Sequence, residues 1–240
     1  MIYLILPAYN EEKNLIKIFD KINKLPTSKK FTVVLIDDCS TDKTHLVKKK
    51  KKKFELIYKR HLRNKGLSIA LETGFNILKK KLKDEDLVIT MDSDNTHPIS
   101  IIPKMINKMK KTKSDLIIAS RFLPNSQVNG LSYFRVFLSI LAKLVFSFIF
   151  PHKNLKEYTC NYRIYKSFLI NELNKNKLFF KNEDFNIAAK ILLFLIKRFD
   201  NLKISEYPLI LNYHHKIGTS KMKITKNIIL TLNLIFFKKI

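Results

Sequence analysis

The sequence predicts an α/β fold, a mostly parallel sheet flanked by helices. Three observations carry that expectation. Short apolar runs rich in Ile, Val and Leu recur through the first half of the chain and read as strands buried on both faces. Longer amphipathic segments alternate with them, the pattern of βαβ units. Polar and charged residues follow these runs, where open sheets bind ligands outside the carboxyl ends of their strands.

The first strand is Ile2–Leu6, followed by Pro7-Ala8-Tyr9-Asn10-Glu11 and a helical pattern near 11–24. Phe31–Ile36 is the second strand and ends on Asp37-Asp38, with a helical pattern over 41–52. Glu55–Tyr58 reads as the third strand. The helix expected over 66–82 carries Gly66, Ala70 and Gly74 at spacings of four, a stripe of small residues that lets it approach the sheet closely. Leu87–Met91 is the fourth strand, with Asp92 and Asp94 at its end, and Pro98 opens the helix expected over 100–111. Leu116–Ala119 is the fifth and ends on Ser120-Arg121. Four strand ends thus place polar groups on one sheet edge, which predicts a cleft there.

From about residue 131 the character changes. Tyr133–Phe150 is an apolar stretch with Arg135, Ser139, Lys143 and Ser147 at every fourth position. On a helix these form one narrow polar stripe, expected to face the cleft, while the other sides meet core or lipid. Glu183-Asp184 precedes a helix expected over Phe185–Arg198 and reads either as favourable helix N-terminal charge or as a base. Ile228–Phe237, ending in Lys238-Lys239, is too short to span a bilayer; it reads as an interfacial helix or as a helix packed on the domain.

Composition narrows the function. With 240 residues, 46% hydrophobic content and 18 Phe, the chain can build a substantial core, which excludes global disorder. Lys and Arg number 46 against 20 acidic residues, a net charge of +26, so the partners are expected to be anionic: nucleic acid, an anionic membrane surface or phosphorylated substrates. No helix-turn-helix, zinc or RNP-like pattern supports nucleic acid, and the aromatic residues sit in apolar runs rather than basic ones. A nicotinamide oxidoreductase is disfavoured because Pro7 occupies the turn where a G-x-G-x-x-G would lie. Cys39 and Cys160 form no C-x-x-C pair, and Met1 leads straight into an apolar run, so a reducing cytoplasmic setting without a signal peptide is expected.

The segment VITMDSDNTHP, residues 88–98, admits two readings. One is a strand running into an Asp-rich turn. The other is a metal site, with two hard oxygen ligands holding a divalent cation against a phosphate.

Taken in order, these segments resemble glycosyltransferase family 2, and within it the dolichol- or polyprenyl-phosphate mannosyltransferases. Pro7-Ala8-Tyr9-Asn10-Glu11 resembles P-x-Y-N-E, and Asp37-Asp38-Cys39-Ser40-Thr41-Asp42 resembles D-D-x-S-x-D. Asn64-Lys65-Gly66 with Ala70 and Gly74 is similar to N-x-G-x-x-x-A-x-x-x-G. Asp92 to Pro98 resembles D-x-D-x-Q-H-P, Ser120-Arg121-Phe122 resembles S-R-Y, Thr159 to Tyr165 resembles T-S-G-F-R-x-Y, and Gly218 to Lys221 resembles G-x-S-K. The resemblance implies a GT-A fold over one transferase domain, 1–225, with a nucleotide-binding half at 1–122, an acceptor half at 123–225 and an amphipathic tail at 226–240.

It implies Mg²⁺ or Mn²⁺ on Asp92 and Asp94, with the Thr96 hydroxyl at the place of a metal-binding Gln. Pro7, Tyr9, Glu11, Asp38, Asn64 and Lys221 would hold the nucleotide-sugar donor, GDP-mannose or a UDP-hexose. Arg121, Arg135 and Ser139 would hold anionic phosphate. The expected reaction is inverting hexose transfer to a polyprenyl phosphate at the cytoplasmic membrane face. The alternative is a surface glycan acceptor with Glu183 or Asp184 as base. Cys39 and Asn161 stand at usual Gly positions, so Asn161 is expected to tolerate a left-handed backbone and Cys39 to take ordinary angles or strain. The oligomeric state stays open.

Overall fold

The computed structural model describes residues 1–153, 155–176 and 186–218. Asp184, Glu183, Lys221 and the 226–240 tail lie outside the described residues. A seven-stranded sheet forms the centre, built from β1 (Ile2–Ala8), β2 (Phe31–Asp37), β3 (Glu55–Arg60), β4 (Leu87–Thr90), β5 (Leu116–Ser120), β7 (Arg163–Lys166) and β8 (Ile204–Pro208). Their order is β3-β2-β1-β4-β7-β5-β8. A separate parallel ribbon pairs β6 (Gln127–Asn129) with β9 (Ile210–Asn212).

The apolar runs became strands because both faces are covered. Every residue of β2 and of β5 is buried. The parallel register of β1 with β2 and β4 sets Ala8 beside Asp37, and so aligns the polar strand ends. Helices α1 (Glu12–Asn23), α2 (Gly66–Leu78) and α3 (Ile102–Lys111) follow the first, third and fourth strands. In α1 the buried Leu15, Ile18, Phe19 and Ile22 recur at helical spacing.

Two elements depart from the sequence pattern. Over 41–52 the chain makes a 3₁₀ helix, Lys43–Lys49, rather than an α-helix. The Asp42 carboxylate caps its start, accepting from the Thr44 N–H at 2.9 Å, and the Lys run at 48–53 opposes continuation by like-charge repulsion. Strand β7 enters antiparallel between β4 and β5, which the alternating pattern did not show. Two of its four residues are Arg163 and Lys166, so it lacks an apolar signature. Arg163 is nevertheless fully buried and donates to the carbonyls of Ala188 at 2.6 Å and Tyr158 at 2.7 Å.

The small-residue stripe on α2 works in two ways. Gly66 has φ 84°, a left-handed conformation that starts the helix. Gly74 marks the close approach: a Cβ there would lie 2.6 Å from Ile5 Cγ2, on a stiff, fully buried β-branched side chain. We therefore expect Gly74→Val to destabilise the fold by about 2 kcal/mol through overpacking. Denaturant unfolding checks this, and an unchanged midpoint would mean that the helix can retreat from the sheet.

Helix α4 (Tyr133–Ile149) has an inverted surface. The polar stripe of Arg135, Ser139, Lys143 and Ser147 is half-buried, as expected, with Lys143 Nζ 5.2 Å from the centre of the Phe122 ring. The outer side carries Phe134, Phe137, Leu141, Leu144 and Phe148 at alternating spacings of three and four, all exposed.

Candidate active site

The site grows from the loop after β4. Asn95 adopts φ 61°, a turn that Asn accepts readily, and its carboxamide bridges outward. Its Oδ1 accepts from Lys21 Nζ at 2.6 Å and its Nδ2 donates to the His215 carbonyl at 3.2 Å. Ser93 donates to the Pro7 carbonyl at 2.8 Å, fastening the loop to the end of β1. Asp94 Oδ1 accepts from the Thr96 N–H at 3.2 Å and hydroxyl at 2.7 Å, an Asx-turn. Its other oxygen accepts from Lys216 Nζ at 2.8 Å. Asp92 Oδ1 accepts from Asn161 Nδ2 at 3.2 Å. The turn and the ligand readings of this segment therefore share one loop: one Asp94 oxygen makes the turn, while Asp92 does not take part in it.

Electrostatics separates the two carboxylates. Burial raises the Asp92 carboxyl above its ordinary range, and the Asp94 charge adds to that, against the opposing pull of His97. Burial acts on Asp94 in the same sense, but His97 and Lys216 outweigh it and hold that carboxyl below the ordinary range. Such a split, imposed by nearby groups, is characteristic of functional sites.

The donor set fits a divalent cation. Mg²⁺ and Mn²⁺ prefer hard oxygens, and Mg²⁺ sites usually combine one or two carboxylates with substrate phosphate oxygens and water. Among the described residues no group of three or more His, Cys, Asp or Glu could hold a metal, so a cation on these two aspartates would need further oxygens from neutral groups, substrate or water. Beside them two buried polar atoms lack partners among the described residues, Asn161 Oδ1 and His97 Nδ1.

Arg121, at the end of β5, sits in a buried clamp. Its guanidinium makes a bidentate pair with Glu157, at 2.8 Å from Nε and 2.8 Å from an Nη, and a 2.6 Å bond to the Thr159 hydroxyl. Glu157 is fully buried and also accepts from the Thr159 and Cys160 backbone N–H groups, each at 3.0 Å. Burial opposes its charge, but Arg121 more than compensates and keeps the carboxyl below the ordinary range. The same surroundings push the Cys160 thiol up to about 12, chiefly through burial, so it is an inert packing group. Tyr213, in the segment after β9, feels the charges of Arg121, Arg135, Asp94 and Asp92, and burial raises its phenol.

The remaining candidates form a second cluster at the ends of β1 and β2. Glu11 is buried and accepts from Asn14 Nδ2 at 2.6 Å, and Asn14 in turn holds the Ile217 backbone through both its amide groups. Asp38 accepts from His61 at 2.7 Å and from the Lys65 and Gly66 N–H groups at 2.9 and 2.8 Å. Asn64 accepts from Gly66 N–H at 3.2 Å. Tyr9 is half-buried beside them, and Ser139 lies on the inner stripe of α4. Cys39, not Asn161, takes the left-handed backbone, with φ 63°. Its strain is carried inside a tightly bonded turn: the Ser40 N–H donates to Asp37 at 2.8 Å.

Sequence reasoning did not single out Glu157, Tyr213 or Lys216. Glu157 could have been noticed as an isolated acid two residues before the Thr159 segment. Tyr213 and Lys216 gave no signal, because only the return of the chain past β9 brings them to the β4 loop.

Comparison with known proteins agrees with this geometry. The family model "Glycosyl transferase family 2" matches residues 3–181. The dolichol-phosphate mannosyltransferase of Pyrococcus furiosus is 27% identical over 222 residues, covering 92% of this chain and 58% of that protein. A UDP-N-acetylglucosamine–dolichyl-phosphate N-acetylglucosaminyltransferase of Methanococcus voltae is 30% identical over 136 residues, 50% of this chain and 52% of its own. The chain thus spans little more than half the length of these two relatives. In fold it is similar to glucosyl-3-phosphoglycerate synthase of Mycobacterium tuberculosis, solved with Mn²⁺, UDP-glucose and phosphoglyceric acid, at a TM-score of 0.66 and 16% identity over 97% of this chain and 78% of that one. Family model and fold agree: the chain belongs to glycosyltransferase family 2 and has the GT-A fold.

Proposed function

We propose that the enzyme transfers a hexose from a nucleotide-sugar donor to a polyprenyl phosphate, with inversion, at an anionic membrane face on the cytoplasmic side. The observation that carries the reading is α4. Its polar stripe turns toward the site while its apolar side is exposed, Tyr133 by 95%, Phe137 by 60% and Phe148 by 87%. A water-facing helix has the opposite arrangement. Among the described residues no helix is long and apolar enough to cross a membrane, so the fitting placement for α4 is flat in the headgroup region. The net charge of +26 favours anionic lipid. Relatives named for dolichyl phosphate acceptors support the same class.

In this reading Asp92 and Asp94, with Thr96 beside them, hold Mg²⁺ or Mn²⁺, which supplies Lewis-acid stabilisation of the charge developing on the departing diphosphate. Pro7, Tyr9, Glu11, Asp38 and Asn64 belong to the donor side, where the loops after β1 and β2 are bonded together. Arg121 and Arg135 attract the acceptor phosphate, and Glu157 keeps the Arg121 fork from swinging away. A phosphate oxygen is already anionic at neutral pH, so it attacks the anomeric carbon without a strong general base. That carbon's bond to the diphosphate breaks as the new one forms, and the configuration inverts.

Vesicle flotation tests the membrane part. Wild-type protein is expected to float with vesicles containing phosphatidylglycerol. The triple variant Phe137→Ser, Leu144→Ser and Phe148→Ser should lose roughly a hundredfold in partitioning, taking a conservative ~1 kcal/mol per side chain. Equal flotation of the two proteins would mean that α4 is not the contact.

A further inference from the structure

Asn161 carries a buried side-chain carbonyl oxygen that no hydrogen bond among the described residues uses. The residue is 7% exposed and immediately precedes Tyr162 and β7. Its backbone is fixed, because the Thr90 hydroxyl donates to its carbonyl at 2.5 Å. Its Nδ2 reaches Asp92 Oδ1 at 3.2 Å, which is long for a bond to a carboxylate. Its Oδ1 has no partner among the described residues. A buried amide oxygen left unpaired costs about 1–3 kcal/mol, so a residue kept in this condition calls for a use.

The spacing indicates one. A half-turn of the carboxamide exchanges its two ends and sets the oxygen where the nitrogen now is, 3.2 Å from Asp92 Oδ1. Two oxygens that close repel unless a cation lies between them. In an octahedral shell with metal–oxygen distances near 2.1 Å, adjacent ligands are about 3.0 Å apart. Thr96, the other neutral oxygen at the loop, already donates its hydroxyl proton to Asp94 at 2.7 Å. We propose that the Asn161 carboxamide oxygen is a cation ligand, completing with Asp92 and Asp94 the protein's share of a divalent-metal site. The inference rests on reading the two aspartates as cation ligands and adds a neutral member from the segment that leads into β7. A neutral amide there contributes an oxygen without a third negative charge, which two already repelling carboxylates would resist.

The test is Mn²⁺ binding, read from the electron paramagnetic resonance signal of free Mn²⁺, with saturating uridine or guanosine diphosphate. Wild-type protein should bind, Asn161→Ala should bind about tenfold more weakly, and Asn161→Asp should bind at least as tightly as wild type. Asn161→Ala binding Mn²⁺ like wild type would overturn the assignment while leaving the aspartate site standing. So would unchanged Mn²⁺ affinity with weaker binding of the nucleotide-sugar alone, which would give Asn161 to the sugar. If Asn161→Ala does not fold, weaker Mn²⁺ binding by Asn161→Asp overturns the proposal. Absence of Mn²⁺ binding by wild type with either nucleotide would refute the aspartate reading and this inference together.

Discussion

Replacing Asp92 by Asn is expected to lower sugar transfer by about a hundredfold or more while leaving the fold at least as stable. The activity loss follows from charge. Lewis-acid stabilisation of a diphosphate leaving group is worth several kcal/mol, and each 1.4 kcal/mol or so is a factor of ten in rate. Stability should move the other way. Asp92 is a half-buried carboxylate beside a second carboxylate, and its one hydrogen bond among the described residues is a long one from Asn161. Both burial and repulsion oppose its charge in the folded state. Asn keeps the shape and removes both penalties, so the melting temperature should hold or rise. Such an exchange of stability for activity is usual where a site has been shaped for a ligand. Loss of both together would instead make Asp92 a structural residue of the turn.

The second large effect is at Glu157. Glu157→Gln leaves Arg121 buried without its counter-charge, and breaking a buried pair costs about 3–5 kcal/mol. The side chain of Arg121 keeps some solvent contact, so the lower end, about 3 kcal/mol, is expected. For a chain of this size that is roughly 6–12 °C in melting temperature. The effect should depend on pH in a stated direction. Arg121 holds the Glu157 carboxyl below its ordinary value, so the pair contributes fully above the unfolded value, about pH 4.3. Its contribution fades as pH falls through the lower folded value. The gap between wild type and variant should therefore be wide at pH 7 and narrow in acid, and a gap independent of pH would mean that packing rather than charge is responsible. Transfer should fall as well, since the Arg121 fork loses what orients it.

What could be read from the sequence, and what could not, has a physical cause in each case. Strands β1, β2, β4 and β5 announced themselves because both faces are buried, which demands unbroken Ile, Val and Leu. The polar ends of those strands were equally visible, and with them Asp92, Asp94 and Arg121. Strand β7 stayed hidden because a buried Arg163 satisfied by two backbone carbonyls looks, in sequence, like a surface residue. Glu157 showed in sequence only as an isolated acid: its importance is a pairing with Arg121 across 36 positions, which no local pattern reveals. Cys39 shows a limit of residue preference. Of the two outcomes expected for it, ordinary angles or strain, the second holds, because the bonds of the Asp37–Ser40 turn impose φ 63° whatever the side chain. Both sides of α4 were legible as periodicity, the polar stripe expected inward and found half-buried, but whether its other sides met core or lipid was open, and the structure leaves the apolar side exposed.

The account's central claim is that the carboxylates of the β4 loop serve transfer of a sugar onto a lipid phosphate. The most direct measurement is mass spectrometry of the organic phase after incubating the enzyme with Mn²⁺, undecaprenyl phosphate and a panel of GDP- and UDP-hexoses. The account predicts a polyprenyl phosphate heavier by one hexose, formed by wild type and absent with Asp92→Asn. A sugar attached only to saccharide hydroxyls, or a lipid product formed equally by Asp92→Asn, would contradict it.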